Sequence, residues 1–120
     1  MRVLDSSALL AYLQGEPGSE VVRRALSEGA AISAANWSEV AQKIRRVDTW
    51  QVARALLLSY PLQLVAVTVD DAEAAAAMWH EGTPLSLADR LCLALADRLE
   101  LTALTADRSW QGLDRVELLR

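Results

Sequence analysis

Apolar residues recur along the chain at two spacings. Short aliphatic and β-branched runs read as strands: "RVLD" (2–5), "AAIS" (30–33), "LQLVAVTV" (62–69), "LTALTA" (101–106) and "RVELL" (115–119). Longer stretches with helical recurrence lie between them. They are "SALLAYL" (7–13), "PGSEVVRRALSEG" (17–29), "NWSEVAQKIRR" (36–46), "DTWQVARALLLSY" (48–60), "DDAEAAAAMWHE" (70–81) and "SLADRLCLALADRLE" (86–100). Punctuation supports the boundaries, with Pro17 and Gly29 bracketing the second helix, Pro61 stopping the fourth and Gly82 ending the fifth. "RSWQGLD" (108–114) has room for one helical turn.

Strands that alternate with helices predict an α/β protein with three layers, α/β/α, around a mostly parallel central sheet. The chain has 120 residues, 52% of them hydrophobic, and no stretch long or polar enough to serve as a linker. The expectation is a single domain spanning 1–120. No apolar run approaches the ~20 residues of a membrane span. The amino terminus does not read as a signal peptide, and the only cysteine, Cys92, falls on a helix expected to be buried. A soluble protein of the reducing cytoplasm is expected.

Ligands of open parallel sheets bind outside the carboxyl ends of the strands. Four acids fall there. Asp5 ends the first strand, Glu39 lies in the first turn of the helix after the second, Asp89 lies in the first turn of its helix, and Asp107 ends the fourth strand. Asp70 and Asp71 also come after a strand, so the pattern is not exclusive. Each acid has a purely structural explanation. "NWSE" and "SLAD" both have the form of a capping box, with Asn36 and Ser86 as N-caps. An acid near a helix start gains ~0.3–1 kcal/mol from the dipole. Asp5 and Asp107 have the position to cap the next helical turn, as do Asp48, Asp70 and Asp71.

Charge changes the weighing. Sixteen acids against twelve bases give a net charge of −4, so the chain lacks the general basic field of many nucleic-acid binders. Four carboxylates converging in one crevice repel one another unless protonated or neutralised by a cation. With one histidine, His80, and one cysteine, no Cys/His metal site is available, and an all-oxygen donor set favours Mg²⁺ or Mn²⁺. Such an ion, retaining waters, is suited to phosphate-ester hydrolysis. A metal-free ribonuclease built on a histidine pair is excluded. A receiver-like signalling domain needs a lysine after a late strand, whereas the one lysine, Lys43, lies inside a helix.

"VLDSSALLAYL", "NWSEVAQK", "LSLADRLCLALA" and "LTALTADRSW" resemble, in order and spacing, the motifs of the PIN-domain ribonucleases. The resemblance covers essentially the whole chain and is strongest to the small VapC toxins of bacterial type II toxin–antitoxin pairs. It implies a PIN-like fold with a catalytic and metal-binding quartet of Asp5, Glu39, Asp89 and Asp107. By similarity Asp5, Asp89 and Asp107 ligate Mg²⁺ or Mn²⁺ directly or through water, and Glu39 holds a water on that ion or a second ion. Ser6 and Thr105 match the family's supporting hydroxyls. The implied reaction is endonucleolytic cleavage of RNA by a metal-activated water, leaving a 3′-hydroxyl and a 5′-phosphate. The implied partners are an RNA substrate, a cognate antitoxin protein and a second copy in a homodimer. No extra acid stands beside Asp89, where some relatives have one, so the metal count stays open. The alternative is a catalytically inactive PIN-like module that binds RNA or protein.

Around these acids the readings divide. Lys43, Arg45 and Arg46 form the densest basic patch and have the placement to contact RNA phosphates. Equally, Glu39 and Lys43 have the i,i+4 spacing of a surface ion pair worth ~0.3–0.5 kcal/mol. Arg90 and Arg108 each stand directly after one of the acids and read first as solvated surface arginines. Trp50 and Trp79 sit in apolar helical patterns and are expected in the core, while Trp37 and Trp110 lie nearer the crevice as candidates for base stacking. His80 is expected to face the end of its helix. The apolar faces of 8–13 and 52–60 exceed what a small core consumes, which leaves a dimer interface, a partner groove and simple burial all open.

Overall fold

The computed structural model describes all residues 1–120, and its centre is a five-stranded sheet with every strand parallel. The strands are β1 (Arg2–Leu4), β2 (Ala30–Ser33), β3 (Leu62–Val65), β4 (Thr102–Thr105) and β5 (Val116–Leu118), in the order β3-β2-β1-β4-β5. The helices are α1 (Ser6–Leu13), α2 (Ser19–Glu28), α3 (Ala34–Arg45), α4 (Trp50–Leu58), α5 (Val69–Ala77) and α6 (Leu87–Leu99), with a 3₁₀ turn at Arg108–Trp110. None is long and apolar enough to cross a membrane.

Side chains of successive strand residues point to opposite faces, and the two faces fill separate cores. Leu4, Ala30, Ile32 and Leu104 pack under α1 to α4. Val3, Ala31 and Ala103 pack on the other side against Cys92, Leu95 and Ala96 of α6 and against Trp110. Helix α5 lies on α6, tied by Asp71 near its start to Arg98 at the far end of α6, 2.8 and 3.0 Å. The predicted three-layer parallel architecture is the one observed.

The chain begins in the middle of the sheet, builds β2 and β3 to one side, then crosses to build β4 and β5 on the other. The order reverses between β1 and β4. Connections leave that point in opposite directions, so a crevice opens outside the carboxyl ends of these two strands. Asp5 comes directly after β1 there, and Asp107 lies just past β4.

Several boundaries move for local reasons. Helix α3 starts two residues earlier than its sequence suggests, because the Ser33 hydroxyl caps it by accepting from the Ala35 N–H at 3.2 Å. Asn36 is therefore not the N-cap but a fully buried first-turn residue, and Glu39 moves into the second turn. Asp48 caps nothing. It adopts a left-handed φ of 55° before Thr49, which stands at the start of α4. Helix α5 begins at a Thr68/Asp71 capping box and stops at Ala77, so His80 lies beyond the helix rather than at its end. The strand expected over 62–69 is paired only to Val65, since β3 is an edge with one neighbour.

Candidate active site

Asp5 is the buried centre of the crevice, only 2% exposed. It caps α1 by accepting from the Ala8 N–H at 2.8 Å. Its carboxylate also accepts from the Ser7 hydroxyl at 2.8 and 2.9 Å and from the Thr105 hydroxyl at 2.6 Å. Both hydroxyls are oriented from behind. The Ala106 N–H donates to Ser7 Oγ at 2.9 Å, and the Asp107 N–H donates to Thr105 Oγ1 at 3.0 Å. With those lone pairs engaged, each hydroxyl turns its only proton toward Asp5. The loop that carries Asp107 is thus bonded, through two hydroxyls, to the carboxylate at the end of β1.

The hydroxyl beside Asp5 is that of Ser7, not Ser6 as sequence matching proposed. An N-cap side chain folds over the second and third residues of its helix, which brings Ser7 and Ala8 against the carboxylate. Ser6, the first helical residue, makes no side-chain bond to it. Thr105 stands where the sequence put it.

Asp89 and Asp107 each divide their oxygens. Asp89 is the third residue of α6 and forms a full capping box, with one oxygen accepting from the Ser86 N–H at 2.9 Å while its own N–H donates to Ser86 Oγ at 3.1 Å. Asp107 Oδ1 accepts from the Ser109 N–H at 2.9 Å, capping the 3₁₀ turn. Glu39 Oε1 accepts from Asn36 Nδ2 at 3.1 Å, and the same amide reaches the Ala88 carbonyl at 3.4 Å, tying α3 to the start of α6. In all three the other carboxylate oxygen makes no hydrogen bond within the protein.

Burial and neighbouring charge act on Asp5 and Asp89. Burial pushes the Asp5 carboxyl up to about 6; the bonds from Thr105, Ala8 and Ser7 oppose it, and the charge of Asp89 adds to it. Asp89 is also pushed up, first by burial and then, against its Ser86 bonds, by Glu39 and Asp107. Cys92 lies below them. Its thiol is held far above its ordinary value by burial and by the charges of Asp5, Asp89 and Glu39, so it is a buried apolar neighbour rather than a ligand.

An oxygen-only set of this kind matches a hard divalent cation in chemistry. Three carboxylates offer an uncommitted oxygen, and the burial and mutual repulsion of the group are what a cation relieves. No three acids close into a ready-made cage.

Neighbouring residues sort less simply. Lys43 reaches the crevice, lining a groove with Ser7 and Asp107, and makes no ion pair with Glu39. Arg45 lines a different hollow beside Thr49 and Trp50, and Arg46 is exposed. Arg90 is neither a solvated arginine nor a partner of Asp89, since its guanidinium crosses to the Ala75 carbonyl at 2.9 Å. Trp110 is fully buried and unavailable for stacking, whereas Trp79, expected in the core, is 58% exposed. Trp37 packs edge-on against buried Trp50, ring centres 5.2 Å apart.

Comparison with known proteins gives a consistent family. The PIN-domain profile matches residues 2–116. A VapC ribonuclease of Mycobacterium bovis and the ribonuclease VapC42 of Mycobacterium tuberculosis are each 34% identical over 106 residues, 78% of this chain and 81% of theirs. Among solved structures, a toxin–antitoxin complex from Klebsiella pneumoniae aligns with a TM-score of 0.85 at 22% identity, over 100% of this chain and 98% of its own. Mycobacterium tuberculosis VapC20, described as a toxin cleaving the sarcin–ricin loop, aligns with a TM-score of 0.73 at 17% identity over 95% of both chains.

Proposed function

The chain belongs to the PIN-domain family, and on that premise we propose that it is an endoribonuclease dependent on Mg²⁺ or Mn²⁺, the toxin of a bacterial toxin–antitoxin pair. The observation that supports this reading is that Asp5 and Asp107 follow the two strands where the order reverses and that the charges of Asp89 on Asp5, and of Glu39 and Asp107 on Asp89, act across four separate segments. In this reading Asp5, Asp89 and Asp107 hold the cation directly or through water, and Glu39 holds a water on that ion or a second ion. When bound, the cation offsets charge on the phosphoryl oxygens and lowers the pKa of a water.

The chain's own residues do the positioning. Asp5 is fixed by its cap and by two oriented hydroxyls, so its carboxylate does not rotate as charge accumulates near it. Asp89 and Asp107 are anchored by one oxygen each and present the other to the crevice. Glu39, held by Asn36, has its second oxygen open to accept a proton from water. Lys43 lines the groove beside Asp107, and in this reading it meets a phosphate of the RNA.

The relatives with solved structures include toxin–antitoxin complexes, and the same reading supplies a cognate antitoxin that covers the crevice. A homodimer uses the surface left over on α4. The apolar residues Ala8 to Ala11 of α1 are all buried, while Val52 and Leu56 on α4 stand 74% and 43% exposed.

The test is cleavage of a mixed RNA pool by purified protein freed of antitoxin, with and without Mg²⁺ or Mn²⁺, beside Asp5→Asn and Asp89→Asn. Metal-dependent cutting by the wild type and none by the variants is expected. Equal cutting by all three would identify a contaminant. No cutting, with no divalent-ion heat in calorimetry, would leave a PIN-like binding module instead.

A further inference from the structure

The crevice continues beyond the carboxylates. An open groove of about 330 Å³ is lined by Ser7, Leu10 and Gln14, one face of α1, and by Glu16, and reaches from Asp107 to Lys43 and Arg120. The larger hollow beside Leu93 and the one beside Thr49 include none of the four acids. The ion pairs of the protein use Arg2, Arg23, Arg98 and Arg115. Lys43 and Arg120 are in none of them. Two cations outside any ion pair thus line the groove that runs on from Asp107, and neither pairs with the two acids that share its lining, Glu16 and Asp107. Left alone there, they gain nothing from each other. An anion between them has both.

Arg120 is seated rather than loose. The Leu119 N–H donates to the Thr105 carbonyl at 2.8 Å, and the Arg120 guanidinium donates to the Pro17 carbonyl at 2.6 Å. Gly18, in a left-handed conformation at φ 94°, lies so close to this end of the chain that a Cβ there would fall 2.9 Å from the Leu119 Cβ. The turn before α2 therefore grips the residue preceding Arg120. Arg120 is connected by backbone to the same threonine that bonds Asp5.

We infer that Lys43 and Arg120 form a two-cation clamp for a backbone phosphate flanking the one held at the carboxylates, so that single-stranded RNA lies extended along the outer face of α1. This rests on the nuclease reading. It divides the basic patch seen in the sequence, keeping Lys43, adding a residue 77 positions away, and leaving Arg45 outside.

The experiment is fluorescence anisotropy with a labelled mixed-sequence single-stranded RNA in EDTA, over a range of KCl, for the wild type, Lys43→Ala, Arg120→Ala, the double variant, Gly18→Ala and the control Arg54→Ala. Each phosphate contact on a single strand contributes about 0.7 to the slope of log K against log salt. The expected result is a slope smaller by about 0.7 in each single clamp variant and by about 1.4 in the double. Arg54→Ala should match the wild type. Gly18→Ala, which removes no charge but displaces Leu119, should behave like Arg120→Ala, while Arg120→Lys should keep the slope. In Mg²⁺ the clamp variants should raise KM several-fold with kcat little changed. Wild-type slopes and KM in the clamp variants, with wild-type protein still cutting RNA, would overturn the clamp alone. An equal loss in Arg54→Ala would overturn it too, as a general charge effect. A wild type that neither cuts nor binds RNA would remove the nuclease reading and the clamp together.

Discussion

Burial of Asp5 has a measurable cost in the absence of a cation. Its carboxyl is pushed from an ordinary 3.8 up to about 6, with burial outweighing the hydrogen bonds from Thr105, Ala8 and Ser7. At about 1.4 kcal/mol per pKa unit, that displacement corresponds to about 3 kcal/mol. The folded state holds the proton more tightly than the unfolded chain, so stability falls as pH rises from about 4 to about 6 and is level above that. The perturbation is Asp5→Asn, which keeps the shape and the oxygen that caps Ala8 but cannot ionise. Urea unfolding in EDTA between pH 4 and pH 7.5, for both proteins, reports this carboxyl together with its charge coupling to Asp89, because every other titrating group is common to the pair. The wild-type stability minus that of the variant should decline by about 2.4 kcal/mol across this interval, the first part of the loss falling below pH 4. Adding Mg²⁺ or Mn²⁺ at pH 7.5 to about a hundred times its dissociation constant should restore about 2.7 kcal/mol to the wild type and much less to the variant. A difference that stays flat with pH would refute the burial argument. A difference that grows with pH would mean the hydrogen bonds dominate.

Other perturbations act on the same contacts. Ser7→Ala should lower stability by about 1–2 kcal/mol and slow cleavage, because it removes the donor to Asp5 and leaves the Ala106 N–H without its acceptor, while Ser6→Ala should change either by less than about 0.5 kcal/mol; equal effects from the two would restore the sequence assignment. Arg98→Ala should lower stability in urea unfolding by stranding buried Asp71. Asp71 is held below its ordinary carboxyl value chiefly by Arg98, so wild-type stability from this pair is present at neutral pH and lost as pH falls below about 4, and the variant should lack that acid limb. Glu100, a non-glycine residue in the left-handed position that ends α6 (φ 55°), should gain about 0.5–1 kcal/mol on Glu100→Gly by thermal unfolding, and a loss would mean its side chain is held by more than its backbone.

The sequence shows most clearly what depends on near neighbours. Ser86 and Asp89, three residues apart, form the capping box their spacing describes, and the alternation of strands and helices forms the parallel sheet. Glu39 reaches the crevice by a different route from the one its spacing indicates. Ser33 caps α3 instead of Asn36, because a serine at the end of a buried strand has its hydroxyl already aimed at the first turn. The tryptophans show where periodicity runs out. It identifies an apolar face but not whether another element covers it, so Trp79 on the short α5–α6 connection is exposed and Trp110 after β4 is buried. Arg90 and Arg120 are harder still, since their partners lie 15 and 103 residues away and only the assembled fold brings them into reach.

The choice between cap and ligand, which divides the reading of these acids, disappears at the level of single oxygens. A cap needs one lone-pair direction from a carboxylate; a cation needs one oxygen. Asp89 and Asp107 give one oxygen to the backbone and keep the other open. Capping fixes the rotamer, so the open oxygen is already aimed and little side-chain entropy remains to be lost on binding. Asp5 differs, with both oxygens bonded and almost no exposure. A cation approaching it competes with the Ser7 and Thr105 hydroxyls for the same lone pairs, and those hydroxyls are held by the Ala106 and Asp107 N–H groups. In the proposed reading, cation binding at Asp5 is therefore coupled to the position of the loop carrying Asp107. On that coupling, Thr105→Val should weaken divalent-ion affinity even though a methyl removes a competitor for Asp5, because the Asp107 N–H loses its acceptor and the loop its register. Calorimetric titration of Mn²⁺ into wild type and Thr105→Val decides it. Weaker binding by the variant supports the coupling, and equal or tighter binding means the hydroxyl merely competes.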